Sequence, residues 1–508
     1  MNAKTLALLS VAGMLLSSVS VYSLTPPGGV HLSGGSRVSD DESTQVVPEI
    51  ATGSVATTQE LGHFVAGTTL TVDGRLGHTK LVKNGRGETF VMLEVKGSDE
   101  LAKNTAPVNL ALVIDRSGSM KGSRLTNALN AAVAAVDRLH DGDVVSVVSF
   151  DTRTQLVVPP TTIGAGARDR IVSDIRGITL GGDTCISCGI EDALAQIDRT
   201  PGRVNRMLLL SDGEATAGVR DVPSFRSIAQ RSRDRGTSIT TVGVDIEYNE
   251  RIMSAIAQES NGRHYFVEND AALSRIFEQE ADGLTSTVAS GVEATIELGP
   301  GVELDRVFDR SFQRVGQSVV VPLGAFSRND VKTVLVKVRV KPGADETVPV
   351  ADVRLAWRDL VTGNDGRCTG KLALAMVDDP SQASELDPLV AGRVQRSETA
   401  STLQQANSLF AQGRGDEARR KLSEQAENVR NVARTATPRA SAKAKEVDRD
   451  FQRQIAALDE ANSGFATPPP VAGAAPNASP ASPAPAAESR QGRSQVRKNA
   501  ERASDMAF

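Results

Sequence analysis

The stretch Val108-Asn109-Leu110-Ala111-Leu112-Val113-Ile114-Asp115-Arg116-Ser117-Gly118-Ser119 decides the fold. Leu110, Leu112, Val113 and Ile114 lie in an apolar run of strand length that stops at Asp115, Ser117 and Ser119. An unbroken apolar run between polar residues reads as a buried strand of a parallel sheet. Behind it, Leu125, Leu129, Ala132, Val133, Val136 and Leu139 share one face of a helix expected over 123–139. Open α/β sheets place their ligands at the carboxyl ends of strands. Asp-x-Ser-x-Ser aims three oxygen-bearing side chains from one turn at one point, which suits a hard cation such as Mg²⁺, held by oxygens at about 2.0–2.1 Å. Turns of this kind also cap helices, so the motif takes its meaning from its company.

Outward from that stretch, strand and helix signals alternate over 105–284. Strands are expected at 143–150, 155–158, 206–210, 238–244 and 263–267, with helices at 168–175, 189–197, 225–235, 250–258 and 271–281. Such alternation with short connections predicts a doubly wound, mostly parallel sheet covered by helices on both faces. On either side the period changes to two. Short β segments fall at 69–72, 80–82 and 89–95, and longer ones between 292 and 377. Half-exposed antiparallel strands have that alternation, and three strands alone make a poor unit. The economical arrangement is one β-sandwich built from 61–104 and 285–380, with the α/β domain inserted in it or flanked by it, because domain termini commonly lie close together.

Residues 385–462 read as helical. Ala418, Leu422, Ala426, Val429 and Ala433 keep one face, and Phe451, Ile455 and Leu458 mark a helix beyond Pro438. The segment 406–422 is similar to one tetratricopeptide helix pair, but a small bundle is the simpler reading, since one repeat cannot bury its own face. The Ala/Pro/Ser tract at 466–487 reads as a solvated linker. The tail beyond it, with Arg490, Arg493, Arg497, Lys498 and Arg502, reads as a solvated charge run, so 463–508 is expected to be disordered.

At the other end, Lys4 and the apolar run 6–16 resemble a signal peptide over 1–23, with Val21 and Ser23, or as a second option Ser18 and Ser20, fitting the small-x-small cleavage rule and an uncleaved anchor as the alternative. A Gly/Ser/Thr/Pro-rich leader follows over 24–60. The mature chain is then exported, to periplasm, cell surface or medium, with no membrane span. Export permits disulfides. Cys185 and Cys188 can close a small loop or form a redox-active dithiol, and the disulfide is favoured because no thioredoxin-like βαβ context surrounds them. The third cysteine is Cys368; three cysteines and five scattered histidines disfavour a structural zinc site. A net charge of −5, one tryptophan and three tyrosines speak against nucleic-acid binding or base stacking.

Two further signals join the opening motif: Gly181-Gly182-Asp183-Thr184 before a helix, and Ser211-Asp212-Gly213 after a strand of the same sheet. In order and spacing the set resembles the von Willebrand factor type A family. The resemblance implies a metal-ion-dependent adhesion site made of Asp115, Ser117, Ser119, Thr184 and Asp212. Ser117, Ser119 and Thr184 would touch the metal directly, with Asp115 and Asp212 acting largely through water. Neutral hydroxyls leave most of the cation's charge uncompensated, and one position stays open for an Asp or Glu carboxylate of a protein partner. Mg²⁺ is the expected ion, Mn²⁺ or Ca²⁺ the alternatives. Arg116 places a positive charge beside the site, able to repel or guide a partner, and Asp183 can compete as a ligand. The β flanks are similar to those of secreted bacterial type A proteins and, distantly, of inter-alpha-trypsin inhibitor heavy chains.

The leading expectation is therefore an exported, metal-dependent protein-binding module and not an enzyme. No Gly-x-Ser-x-Gly elbow, paired Ser/His arrangement or phosphate loop occurs. The alternatives are a cell-envelope scaffold with a regulatory metal site and, further off, a redox protein using Cys185 and Cys188.

Overall fold

The computed structural model describes residues 56–100, 107–198, 200, 202–268, 272–341, 346–436, 444–466 and 489–507. The expected signal peptide, nearly all of the leader and the Ala/Pro tract lie outside the described residues.

Strand β6 (Val108–Asp115) is buried at every position. It pairs in parallel with β7 (Val144–Phe150) on one side and β9 (Val204–Ser211) on the other. Outside β9 lie β10 (Thr237–Val244) and β11 (His264–Val267), and outside β7 lies β8 (Thr154–Thr162), giving the order β11-β10-β9-β6-β7-β8. Only the edge strand β8 runs antiparallel, to β7. One face is covered by α1 (Ser123–Asp137), α2 (Ala167–Arg176) and α6 (Leu273–Thr285), whose apolar residues pack with Leu110, Leu112 and Leu208. The other face carries α3 (Ile186–Ile197), α4 (Val222–Asp234) and α5 (Glu250–Glu259) against Ala111, Val113, Met207 and Leu209. Alternate residues of one strand thus feed opposite cores, the period-two consequence of a sheet covered on both faces. The chain passes from β6 to β7 on one side and returns to β9 on the other, which opens a crevice at the carboxyl end of β6.

The remaining strands form two six-stranded sheets packed face to face. One sheet runs β1 (Ala56–Glu60), β2 (His63–Gly67), β3 (Leu70–Leu76), β5 (Glu88–Gly97), β16 (Val331–Val340), β13 (Val302–Phe308). The other runs β14 (Gln313–Val315), β15 (Ser318–Ser327), β12 (Thr287–Leu298), β17 (Thr347–Asp359), β18 (Asp365–Val377), β4 (Lys80–Val82). Both contain strands from either side of the α/β domain. The seam is the antiparallel ladder of β5 and β16, from Val331 opposite Lys96 to Arg339 opposite Glu88. Phe64, Val72 and Leu93 from the first flank share one core with Ile296, Val336, Leu355 and Leu374 from the second. A Cβ on Gly97 would stand 3.4 Å from the Val288 side chain, so the chain leaves and re-enters the sandwich at nearly one place. The expected fold class, an α/β sheet set in a β-sandwich and followed by helices, is what the chain forms.

The helices are α7 (Pro388–Ala411), α8 (Gly415–Ala436), α9 (Ala444–Gly464) and α10 (Arg490–Ala507). The last corrects the expectation of a disordered basic tail. Val496 and Ala503 of α10 join the bundle core around Leu403, Leu422 and Leu458. Its basic side chains meet acids of the α/β domain: Arg497 with Glu250 at 3.0 Å, Arg493 with Glu247 at 3.1 Å and Lys498 with Glu268 at 3.2 Å. Those acids stand more than two hundred residues earlier in the chain, so the charge run looked solvated only because its partners are remote. Buried Arg393 of α7 ties α7 to α10 and to the sandwich. It donates to the Met506 carbonyl at 2.5 Å, the Ala507 carbonyl at 2.9 Å and Asp309 beyond β13 at 3.0 Å. The first two satisfy carbonyls that the end of α10 would otherwise leave without a partner. Among the described residues no helix is long and apolar enough to cross a membrane.

Candidate functional site

Three loops meet at the carboxyl end of β6. The first turns from Asp115 through a 3-10 turn, Gly118–Met120, into α1. The second leads into α3, and the third leaves β9 at Ser211. Main-chain hydrogen bonds stitch the first two loops together, Gly118 N–H to the Gly182 carbonyl at 3.0 Å and Gly181 N–H to the Arg116 carbonyl at 2.7 Å. Thr216 joins the second to the third: its hydroxyl accepts from Thr184 N–H at 2.8 Å and its own N–H donates to the Thr184 carbonyl at 3.0 Å. The five residues singled out from sequence are all brought here. Asp115, Ser117, Thr184 and Asp212 are buried and Ser119 is exposed, so the cluster opens to solvent on Ser119's side.

Ser117 Oγ lies 3.0 Å from Ser119 Oγ, and Ser119 Oγ donates to Asp212 Oδ1 at 2.6 Å. A Cβ placed on Gly213 would stand 3.3 Å from Ser119 Oγ and 3.5 Å from Thr184 Oγ1, so both hydroxyls border a space that only glycine leaves free. Neighbouring oxygens of an octahedral Mg²⁺ site with bonds of about 2.05 Å are about 2.9 Å apart, close to the 3.0 Å between Ser117 Oγ and Ser119 Oγ. The donor set therefore fits a hard cation. Among the described residues no three His, Cys, Asp or Glu side chains cluster as metal ligands, so any ion here depends on the hydroxyls.

Electrostatics point the same way. Burial raises the Asp115 carboxyl to about 6, against hydrogen bonds from Ser117 N–H at 2.8 Å and Ser211 Oγ at 2.5 Å, with repulsion from Asp212 adding to the rise. Asp212 is also raised by burial, in spite of Ser119 and Arg124. Two buried carboxylates, of which only Asp212 has a guanidinium beside it, are what a cation relieves.

Further residues surround these five, of which Asp151 and Arg124 were not legible in the sequence as parts of the site. Ser211 holds Asp115. Asp151, which ends β7's turn as Asp115 ends β6, accepts from Arg153 N–H at 2.8 Å and pairs with Arg116 at 3.0 Å. Arg116 is thus turned into the scaffold, and its charge is already answered by Asp151. Asp183 is exposed beside Thr184. Arg124 contacts both Asp212, at 2.9 Å, and Asp245. Cys185 and Cys188 form a disulfide at the start of α3, while Cys368 is free and buried in the sandwich. A Cβ on Gly218, whose φ is +67°, would stand 2.5 Å from Cys185 Sγ, so the third loop closes over the disulfide. A cleft of about 680 Å³ lies at the opposite end of the sheet, by Val204 and Thr237, and none of the five residues lines it.

A doubly wound α/β domain with hydroxyls and carboxylates gathered at its switch point, carried as an insertion in a β-sandwich, defines the class. Residues 109–279 match the family profile of the von Willebrand factor type A domain, and the chain carries a domain of that family, a family of protein-interaction modules. Among curated proteins it is 27% identical over 216 residues to the uncharacterized protein YfbK of Escherichia coli, covering 42% of this chain and 37% of that one. It is 25% identical over 285 residues to an uncharacterized protein of Synechocystis sp., covering 53% and 66%. The chain thus spans between about a third and two thirds of these relatives' length. Among solved structures, a von Willebrand factor type A protein from Catenulispora acidiphila superposes over 80% of this chain and 98% of its own, with a TM-score of 0.63 and 16% identity. That coverage exceeds the α/β domain alone, so the shared fold includes its surroundings.

Proposed function

We propose that the chain is an exported protein-binding module that grips a partner through a divalent cation. Ser117, Ser119 and Thr184 would hold the ion, with Asp115 and Asp212 behind them. The cation supplies a hard Lewis-acid position for an Asp or Glu carboxylate of the partner. The convergence of these five side chains from three loops on one solvent-facing spot carries this reading. Asp115 holds the first loop through Ser117 N–H, and Asp212 orients Ser119. Mg²⁺ suits the oxygen spacing, and Mn²⁺ or Ca²⁺ fits the same donors with longer bonds.

No catalytic role is proposed. A structural role for the disulfide is favoured over a redox one, because Cys185 is buried beneath the Gly218 loop, although Cys188 is partly exposed. The docked α10 supports a second role as an envelope scaffold that couples binding to assembly, since one helix joins the α/β domain to the bundle. The deciding experiment is capture of partners from envelope extract with Mg²⁺ and with chelator, using the parent and Asp115→Ala. Prey that needs both the cation and Asp115 supports adhesion. Prey retained under all four conditions replaces adhesion by the scaffold reading.

A further inference from the structure

Arg124 lies in the first turn of α1 and reaches over the site. Its Nη1 donates to Asp212 Oδ2 and to the Ser119 carbonyl, both at 2.9 Å, and its Nη2 donates to Asp245 Oδ2. The other oxygen of Asp212 accepts from Ser119 Oγ at 2.6 Å. Both oxygens of the buried carboxylate are therefore engaged. One is taken by a hydroxyl assigned above to the cation, the other by a fixed positive charge. Arg124 itself is partly open to solvent, its side chain 29% exposed where that of Asp212 is wholly buried.

Asp245 stands just past the carboxyl end of β10, on the same rim of the sheet, with a left-handed φ of 60°. Its Oδ1 accepts from Ile246 N–H at 2.7 Å, which fixes the carboxylate in place. The guanidinium is a planar fork able to bridge two carboxylates, which an ammonium on a single stem does not do as well. Arg124 thus has a second anchor that does not depend on Asp212.

We propose that Arg124 is the resident counter-ion of the site, holding Asp212 while no cation is bound and falling back on Asp245 when Asp212 turns to the hydroxyl and water around a bound divalent cation. Guanidinium and the cation's shell then compete for one carboxylate, and Arg124 sets the cation affinity. This rests on the cation-bridged reading given above. Charge balance supports the exchange. Asp115, Asp212 and Asp245 against Arg124 and Arg490, which stands 3.7 Å from Asp245 Oδ1, still leave the site negative, so a dication is drawn to it. Without Arg124 the same ion meets one more negative charge and no guanidinium to displace. Asp115 and Asp212 are buried, so salt screens this difference less than it would between surface charges.

The test is titration calorimetry of the full chain with MgCl₂ and with MnCl₂, for the parent, Arg124→Gln, Asp245→Asn and the double variant. Arg124→Gln is expected to bind at least about tenfold more tightly. Asp245→Asn removes the fallback anchor, commits Arg124 to Asp212, and is expected to bind several-fold more weakly. Most of that loss should vanish in the Arg124→Gln background. A merely structural Arg124 would give independent effects in the double variant. Equal or weaker binding by Arg124→Gln, with near-ultraviolet dichroism unchanged, overturns the proposal. Should Arg124→Gln not fold, unchanged affinity in Asp245→Asn overturns it alone. Absence of heat in the parent and in every folded variant overturns the cation-bridged reading itself, and Arg124's role with it, a result distinct from binding that ignores Arg124.

Discussion

Asp115 is the residue on which the site turns, because it ends the buried strand and fixes the loop that follows without entering the apolar core. Asp115→Ala is expected to leave the fold largely intact and to abolish cation-dependent stabilisation. A cation bound only by the native state adds about 2.7 kcal/mol at a hundredfold excess over its dissociation constant. Thermal melts with and without Mg²⁺ should then separate for the parent and coincide for the variant. Coincident parent melts at millimolar Mg²⁺, with no heat of binding, would remove the cation from the account. A second residue-scale prediction concerns His264. It is fully buried, with Nδ1 2.9 Å from Thr241 Oγ1 and Nε2 3.1 Å from the Tyr248 hydroxyl, and burial pushes its pKa down to about 3. The unfolded chain's imidazole takes a proton near its ordinary value of about 6.5, while the folded one stays neutral to about 3. Within that window the unfolded state binds more protons, so stability falls as pH falls, by up to about 1.4 kcal/mol per pH unit. In His264→Gln the slope from this group disappears. Denaturant titrations at several pH values should show the gap between parent and variant narrowing toward acid. A constant gap would mean that His264 does not titrate differently on folding.

At the scale of elements, the second and third loops stand or fall together. The Cys185–Cys188 disulfide starts α3, Gly218 packs on it, and Thr216 holds Thr184. Gly218→Ala combines a left-handed φ with a close contact to Cys185 Sγ and Ser187 Oγ. It is expected to cost about 1–3 kcal/mol and to weaken cation binding by displacing Thr184. Chemical denaturation and the calorimetric titration measure the two effects separately, and loss of neither would show that the loop is free of the disulfide. The Asp-x-Ser-x-Ser turn, Thr184 and Asp212 were all legible in the sequence because each sits where a periodic segment stops. Arg124 was not, since nothing local marks one arginine of a helix's first turn as the partner of carboxylates at 212 and 245.

For the whole molecule, two arrangements are open to direct test. The sandwich has its own core and a nine-residue-pair seam between β5 and β16. Replacing 106–284 by a short Gly/Ser linker should therefore leave a folded β unit. Recovery of two separately stable β fragments after proteolysis would show the flanks to be independent. The second test is removal of residues 489–508. Helix α10 is held by ion pairs and by small apolar residues, so its loss should destabilise the bundle, more at low salt than at high salt. Calorimetric scans at the two ionic strengths check this, and a salt-independent difference would assign the docking to apolar packing alone.

What the sequence determined by itself was the kind and order of the elements, since burial on one face or two leaves a period of 3.6, of two, or an unbroken apolar run. It also placed Asp115, Ser117, Ser119, Thr184 and Asp212 at the ends of those elements. Even α10 left a trace, Val496, Ala500, Ala503 and Ala507 on one face, which the basic residues between them obscured. Only the tertiary structure decided which charges meet. Arg116 with Asp151, Arg124 with Asp212 and Asp245, and Arg497 with Glu250 are pairs separated by tens to hundreds of residues. An ion pair needs proximity in space and imposes no period along the chain, so its partners are fixed by the fold that brings them together.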